Sequence, residues 1–325
     1  WSAAATPIAT AWPRPRPGSL VGTSMDSSRL NKFMGIASDP VITFSHDVSS
    51  TLELTGGSWD ANHLIYTATY TVHDVNVEFS DLTVTVTGAQ DTLSTAIASY
   101  TSTALFTIDT IAPTLEVSSV HISADTGTLA DDFLTHTASQ TITGTLSAAL
   151  SAGDKLYGSV DGGVHWIDVT DKVSGTDISW SGATLSGSSS IVFKITDLAG
   201  NESANTGLTS YVLDTTAPTL TVSAVDISDD TGTSATDFVT NNASQTITAT
   251  LSSALAEGDI LQGSTDGGTT WTAISMASGS TSISWDTALS GSSIVFKITD
   301  AAGNDSANTG STSYVLDTTA STVTV

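Results

Sequence analysis

The sequence predicts an all-β chain of repeated β-sandwiches, and three observations carry the prediction. A segment of about 105 residues occurs twice, end to end. Within each copy apolar and polar residues alternate with the period of a strand, and Asp, Asn and Gly mark turns between the alternating runs.

The repeat sets the architecture. DTIAPT at 109–114 matches DTTAPT at 214–219, ISADTGT at 122–128 matches ISDDTGT at 227–233, and SQTIT recurs at 139–143 and 244–248. Asp132-Phe133 pairs with Asp237-Phe238, DGG recurs at 161–163 and 266–268, Trp166 pairs with Trp271, and Trp180 with Trp285, all offset by 105 residues. The later copy then loses two residues, so Asp197 pairs with Asp300 and the linker residue Asp317 lies 103 beyond Asp214. The copies are therefore 109–213 and 214–316, and DTTASTVTV at 317–325 reads as the start of a further, truncated copy.

The elements of one copy follow in order. TLEVSSVHIS at 114–123 is the first strand; SQTITGTLS at 139–147 puts Ile142, Gly144 and Leu146 on one face and Thr on the other, as a half-buried strand does. KLYGSV at 155–160 and VHWIDV at 164–169 flank Asp161-Gly162-Gly163, where glycine supplies the positive φ of a hairpin turn. DISW at 177–180, the alternating IVFKIT at 191–196 and TSYVLDT at 209–215 complete seven strands, the count and size of an immunoglobulin-like sandwich. The expected fold class is all-β, tandem immunoglobulin-like β-sandwiches in a linear array. Residues 39–108 read as a divergent or partial sandwich: IYTATYTV at 65–72 and LTVTVTGAQD at 82–91 alternate, and Asp91 precedes Asp109 by 18 residues, much as Asp197 and Asp300 precede Asp214 and Asp317 by 17. Seventy residues are few for such a domain, so either residues 17–38 contribute or its first strands are missing. Residues 1–38, with WPRPRPG at 12–18, read as an irregular N-terminal segment, a linker or a non-native piece.

Charge narrows the function. The chain has 33 Asp+Glu against 8 Lys+Arg and no Cys. Arg14, Arg16, Arg29 and Lys32 stand before residue 39, leaving Lys155, Lys172, Lys194 and Lys297 as the only cations of the rest. Nucleic acid is not an expected partner, because phosphate binding needs clustered basic residues. Without Cys there is no disulfide framework, thiolate nucleophile or thiolate zinc site. No run approaches the roughly 18 apolar residues of a membrane span, and the start lacks the basic and apolar regions of a standard signal peptide.

The joint motif of DTTAPT linkers, the turns DLAGN at 197–201 and DAAGN at 300–304, DTGTxxxDF, and DGG before Trp resembles the bacterial Ig-like extender repeats of large RTX-type adhesins. It covers 109–325 well and 39–108 loosely. The resemblance implies a calcium-stiffened extracellular rod that holds a ligand-binding tip away from the bacterial surface, exported by a type I system. The Gly- and Asp-rich nonapeptides and the adhesive tip of that family are absent from this sequence.

Topology gives a separate reason to expect calcium. In such a sandwich the loop after the first strand lies at the trailing end, facing the leading loops of the next copy. Asp125, Asp131 and Asp132 should meet the linker Asp214 and the loops bearing Glu257, Asp259, Asp300 and Asn304. Asp109 should meet Asp154, Asp197 and Asn201 at the preceding joint, while Asp229, Asp230, Asp237 and Asp317 would await the next copy. Carboxylates crowded without Lys or Arg repel, and a hard cation taking six to eight oxygens relieves that. The competing reading is that Asp and Asn are simply turn formers. Pro113 and Pro218, in joints free of Gly, suggest semi-rigid spacing; they also suit a device against wrong strand pairing.

Other constellations fall short. His121, His136 and His165 have Asp226, Asn241 and Thr270 at the matching positions, so they are not part of the shared design. No Ser with a His partner or nucleophile elbow stands out, and the recurring Trp residues read as packing ahead of a carbohydrate face. The expectation is a non-enzymatic, monomeric extender whose partners are its neighbouring repeats, with host or surface glycan or protein engaged through domains not present here. The alternatives are a glycan- or protein-binding module, or the accessory region of a secreted polysaccharide-degrading enzyme.

Overall fold

The computed structural model describes residues 20–26, 38–59, 61, 65–90, 96, 98–102 and 105–320. It is all-β: among the described residues the one helical piece is a 3-10 turn at Thr170–Lys172. Two compact units divide the chain, one of residues 1–115 with 150–155 and 194–204, the other of residues 116–149, 156–193 and 205–325.

The first unit contains a three-stranded sheet in the order Leu20–Asp26, Ile65–Val72, Leu52–Trp59, a second in the order Val41–Phe44, Val84–Thr87, Tyr100–Thr101, and the pair Glu78–Leu82 with Phe106–Asp109. The strand at Leu20–Asp26, within the segment 17–38 that could contribute to this domain, pairs antiparallel with Ile65–Val72, with a register shift between Val21 and Thr23; the other residues before 38 lie outside the described residues. The predicted strand at 82–91 is broken, with Leu82 ending one strand and Val84 starting another. Asp91 lies outside the described residues. Val48, Leu52, Leu82 and Ile108 form a small core here.

The middle repeat packs two sheets. One runs Leu134–Thr135, Thr206–Leu213, Ser188–Thr196, Lys155–Ser159, Ile167–Asp168; the other runs Val173–Ser174, Asp177–Thr184, Ser139–Leu146, Val117–Ile122. The third repeat reproduces this with Val222–Ile227, Ser244–Leu251, Ser282–Ala288 against Thr272–Ile274, Ile260–Ser264, Ser293–Thr299, Thr309–Ser313. Alternation is literal in Ser139–Leu146, where Gln140, Ile142, Gly144 and Leu146 are the buried positions. The core Trp of each copy explains one glycine apiece: a Cβ on Gly158 would come 2.6 Å from Trp180, and one on Gly263 2.5 Å from Trp285. Trp180 meets Phe193 edge-to-face at 6.2 Å, and Trp285 meets Phe296 at 6.1 Å. Both Trp residues are buried core.

Two details position the trailing end of each repeat. The first strand carries a bulge at Ser119 in one copy and Ala224 in the other, both at positive φ. A short parallel pairing, Leu134–Thr135 on Val212–Leu213 and Val239–Thr240 on Val315–Leu316, then holds the loop after that strand beside the departing chain.

Candidate metal centre and joint

The trailing loop is anchored by a buried glutamine. Gln140 Nε2 donates to the carbonyls of Ala124 at 3.1 Å and Thr137 at 2.7 Å, while its Oε1 accepts from the Ala124 N–H at 2.9 Å. Gln245 does the same with Asp229 and Asn242. So clamped, the loop folds around one aspartate. Asp125 Oδ2 accepts the Phe133 N–H at 3.1 Å and Asp230 Oδ2 accepts the Phe238 N–H at 2.9 Å, with both Phe residues at φ 58°. The other oxygen of each carboxylate is buried and has no hydrogen-bond partner.

An ionised oxygen in that position is costly unless something positive reaches it. Desolvation pushes the Asp125 carboxyl above its usual range; the Phe133 N–H opposes this, while the Asp132 carboxyl, by its charge and by hydrogen bonding with Asp125, and the Asp131 charge add to it. A proton or a hard cation would relieve the same oxygen. Among the described residues the loop offers one carboxylate oxygen without a hydrogen-bond partner, with the Asp131 and Asp132 carboxylates near it and no cationic side chain bonded to it.

Most of the remaining predicted ligands accept hydrogen bonds within their own turns. Asp109, Asp132, Asp214, Asp237 and Asp317 each accept the backbone N–H two residues on, at 2.9 to 3.2 Å. Asp154 and Asp259 accept the N–H three residues back, both at 3.1 Å. Asp197 Oδ1 accepts from Gly200 and Asn201, and Asp300 Oδ1 from Ala302 and Asn304. Asn201 and Asn304 turn their amide nitrogens toward Asp197 and Asp300, donating at 2.9 Å in each case. Asp131 is exposed, 4.0 Å from the His121 ring. Among the described residues no three His, Asp or Glu side chains converge as a metal-binding group. The acidic loops meet without forming a carboxylate cage.

What joins them is backbone, hydroxyl and imidazole. In the second unit the turn Asp300–Asn304 sits on the trailing loop of the middle repeat. Thr126 Oγ1 donates to the Ala302 carbonyl at 2.7 Å, the His136 Nδ1 lies 3.0 Å from the same oxygen, and the Thr128 N–H reaches the Ala301 carbonyl at 3.2 Å. Ala302 is 1% exposed. A Cβ on Gly303, at φ 94°, would come 2.7 Å from the Thr126 carbonyl. The linker closes the seat: the Asp214 N–H donates to the Thr135 carbonyl at 2.9 Å, and Asn304 Nδ2 donates to the Asp214 carbonyl at 2.8 Å. In the first unit Asn201 Nδ2 likewise donates to the Asp109 carbonyl, at 3.1 Å.

Sequence reasoning missed Thr126, His136 and the alanine carbonyls. TGT lies between the shared acids in both copies and is the available signal; His136 carries none, since the third copy has Asn241 at the matching position. Two further histidines hold local contacts, His165 with Asp161 at 2.6 Å and His73 with Glu53 at 2.9 Å.

Residues 111–215 match the family model of the bacterial Ig-like domain. That span is the middle repeat within two residues at either end, and the third repeat carries positive φ at the matching non-glycine positions Ala224 and Phe238. No curated protein matches the chain.

Proposed function

We propose that this chain is a spacer: tandem Ig-like domains from the extender region of a secreted bacterial surface adhesin, holding a binding tip at a distance, with calcium bound at the trailing loops and no catalysis of its own. The observation that carries the reading is the pair of orphaned carboxylate oxygens, Asp125 Oδ1 and Asp230 Oδ1, at the same place in successive copies. A feature that recurs with the repeat serves the repeat. The seating of Asp300–Asn304 on the loop that contains Asp125 puts that oxygen in the segment through which one domain meets the next.

The proposed cation would be held by Asp125, with Asp131 and Asp132 as nearby carboxylates, and in the third copy by Asp230 with Asp237. When bound, it supplies positive charge to oxygens that backbone donors leave unpaired. The chain's own residues do the positioning: Gln140 and Gln245 fix the loop, and the N–H groups of Phe133 and Phe238 orient the carboxylates. Trp180 and Trp285 are buried and so offer no glycan-binding face, and the Lys297 ammonium lies 5.0 Å from the centre of the Trp271 ring.

The test is thermal unfolding of the whole chain in EDTA, calcium and magnesium at matched ionic strength. A ligand that binds only the folded state at a hundredfold excess over Kd adds about 2.7 kcal/mol. The expected outcome is a rise in Tm specific to calcium, which Asp125→Asn diminishes while raising the Tm in EDTA by removing the unpaired charge. Equal melting in all three solutions would reduce the loops to turn chemistry.

A further inference from the structure

The seat that receives Asp300–Asn304 exists twice, and only one is filled among the described residues. In the third repeat the same loop is built to the same plan. The Gly232 N–H donates to the Val239 carbonyl at 2.8 Å as Gly127 does to Leu134 at 2.9 Å, and the Asn241 N–H donates to Thr231 Oγ1 at 2.9 Å as His136 does to Thr126. The departing linker is also set alike: the Asp317 N–H donates to the Thr240 carbonyl at 2.9 Å, and Asp317 Oδ1 accepts the Thr319 N–H at 2.9 Å, as Asp214 does with Thr135 and Thr216.

The surroundings differ. Thr126, Gly127 and His136 are half-buried, whereas Thr231, Gly232 and Asn241 are exposed. The hydroxyl that in the middle repeat donates across the joint instead donates, in the third, to its own neighbour, Asn241 Oδ1, at 3.1 Å. This is a seat of defined hydrogen-bonding character turned in on itself.

The geometry points to the loop Asp229–Asn242 as a docking surface for the D-x-A-G-N turn of a further Ig-like repeat joined through Asp317. On docking, the Thr231 hydroxyl swings from Asn241 to the incoming carbonyl of the turn's second alanine position, and the Asn241 amide takes the part of the His136 ring. The Thr233 N–H, which corresponds to Thr128, pairs with the preceding carbonyl. Position 136/241 then distinguishes the joints: an imidazole at one, an amide at the other. This inference rests on the tandem-spacer reading and not on calcium.

The experiment extends the chain with a copy of residues 214–316 joined directly after Leu316, and follows amide hydrogen exchange in EDTA. Working without calcium separates failure of the docking from failure of the cation sites. The Thr233 amide should exchange on the order of tenfold or more slowly in the extended chain than in the present one, approaching Thr128 as internal reference. Thr231→Val, and separately Ala→Trp at the appended copy's equivalent of Ala302, should each return Thr233 to fast exchange while the core amides stay protected. Equal Thr233 exchange in both chains would overturn the assignment. Protection that grows with concentration of the unextended chain would also overturn it, giving the seat to a second molecule.

Discussion

The turns Asp197–Asn201 and Asp300–Asn304 fold alike and live differently. Both wrap around an aspartate whose Oδ1 accepts the i+4 backbone N–H, and both end on an Asn whose amide reaches back to that aspartate. Yet Leu198 is 80% exposed, Ala199 is exposed, and a Cβ on Gly200 would meet nothing within 4 Å, while Ala302 is buried and Gly303 is pressed against Thr126. Local sequence sets the fold of such a turn, because its hydrogen bonds close within five residues. What the turn does depends on whether a trailing loop of another repeat lies against it.

The largest effect should come from overfilling the occupied turn. Ala302→Trp forces the joint apart and should cost about 1 to 3 kcal/mol, whereas Ala199→Trp at the matching exposed site should stay within about 0.5 kcal/mol of wild type. Denaturant unfolding of the two variants reads the difference directly, and equal losses would erase the comparison. A smaller change sharpens it. Thr126→Val removes the hydroxyl that donates to Ala302 and should cost about 1 kcal/mol, with the Thr128 amide exchanging faster.

The smallest effect concerns a turn that behaves the same in both copies. Asp266 is held down to about 2, first by the Thr270 hydroxyl, then by the Thr270 N–H and the Ser264 hydroxyl; Asp161 is lowered likewise, first by the His165 N–H. A depressed carboxylate lends stability above its ordinary value of 3.8, and that stability is lost as pH falls through about 2. The hairpin amides of Thr269 and Thr270 should therefore stay protected at pH 4 and lose protection near pH 2, and Asp266→Asn should flatten that dependence. Loss already complete at pH 4 would contradict it.

The repeat, the strands and the core were legible because each leaves a periodic mark: Ser139–Leu146 shows its buried face in every second residue. The hairpin was legible only in part. VHWIDV yields just Ile167–Asp168 as strand, since Asp161 Oδ1 draws the N–H groups of Val164 and His165 into its own turn. The joint was less legible still. Its acids announce themselves, but most are satisfied by their own loops, and the contacts across it run through the carbonyls of Ala301 and Ala302, which no side-chain pattern reveals. Among the acids of the described residues Asp125 and Asp230 keep a buried oxygen unpaired, and the Phe133 and Phe238 that bond their other oxygens sit at positive φ, a backbone feature visible in coordinates and not in composition.

The most direct measurement is a calorimetric titration of calcium into the whole chain and into the double variant Asp125→Asn, Asp230→Asn. The account predicts binding by the native chain that the double variant loses, with both proteins folded by circular dichroism. Undiminished binding in the double variant would place the cation elsewhere, and no binding by the native chain would remove calcium from the account of these domains.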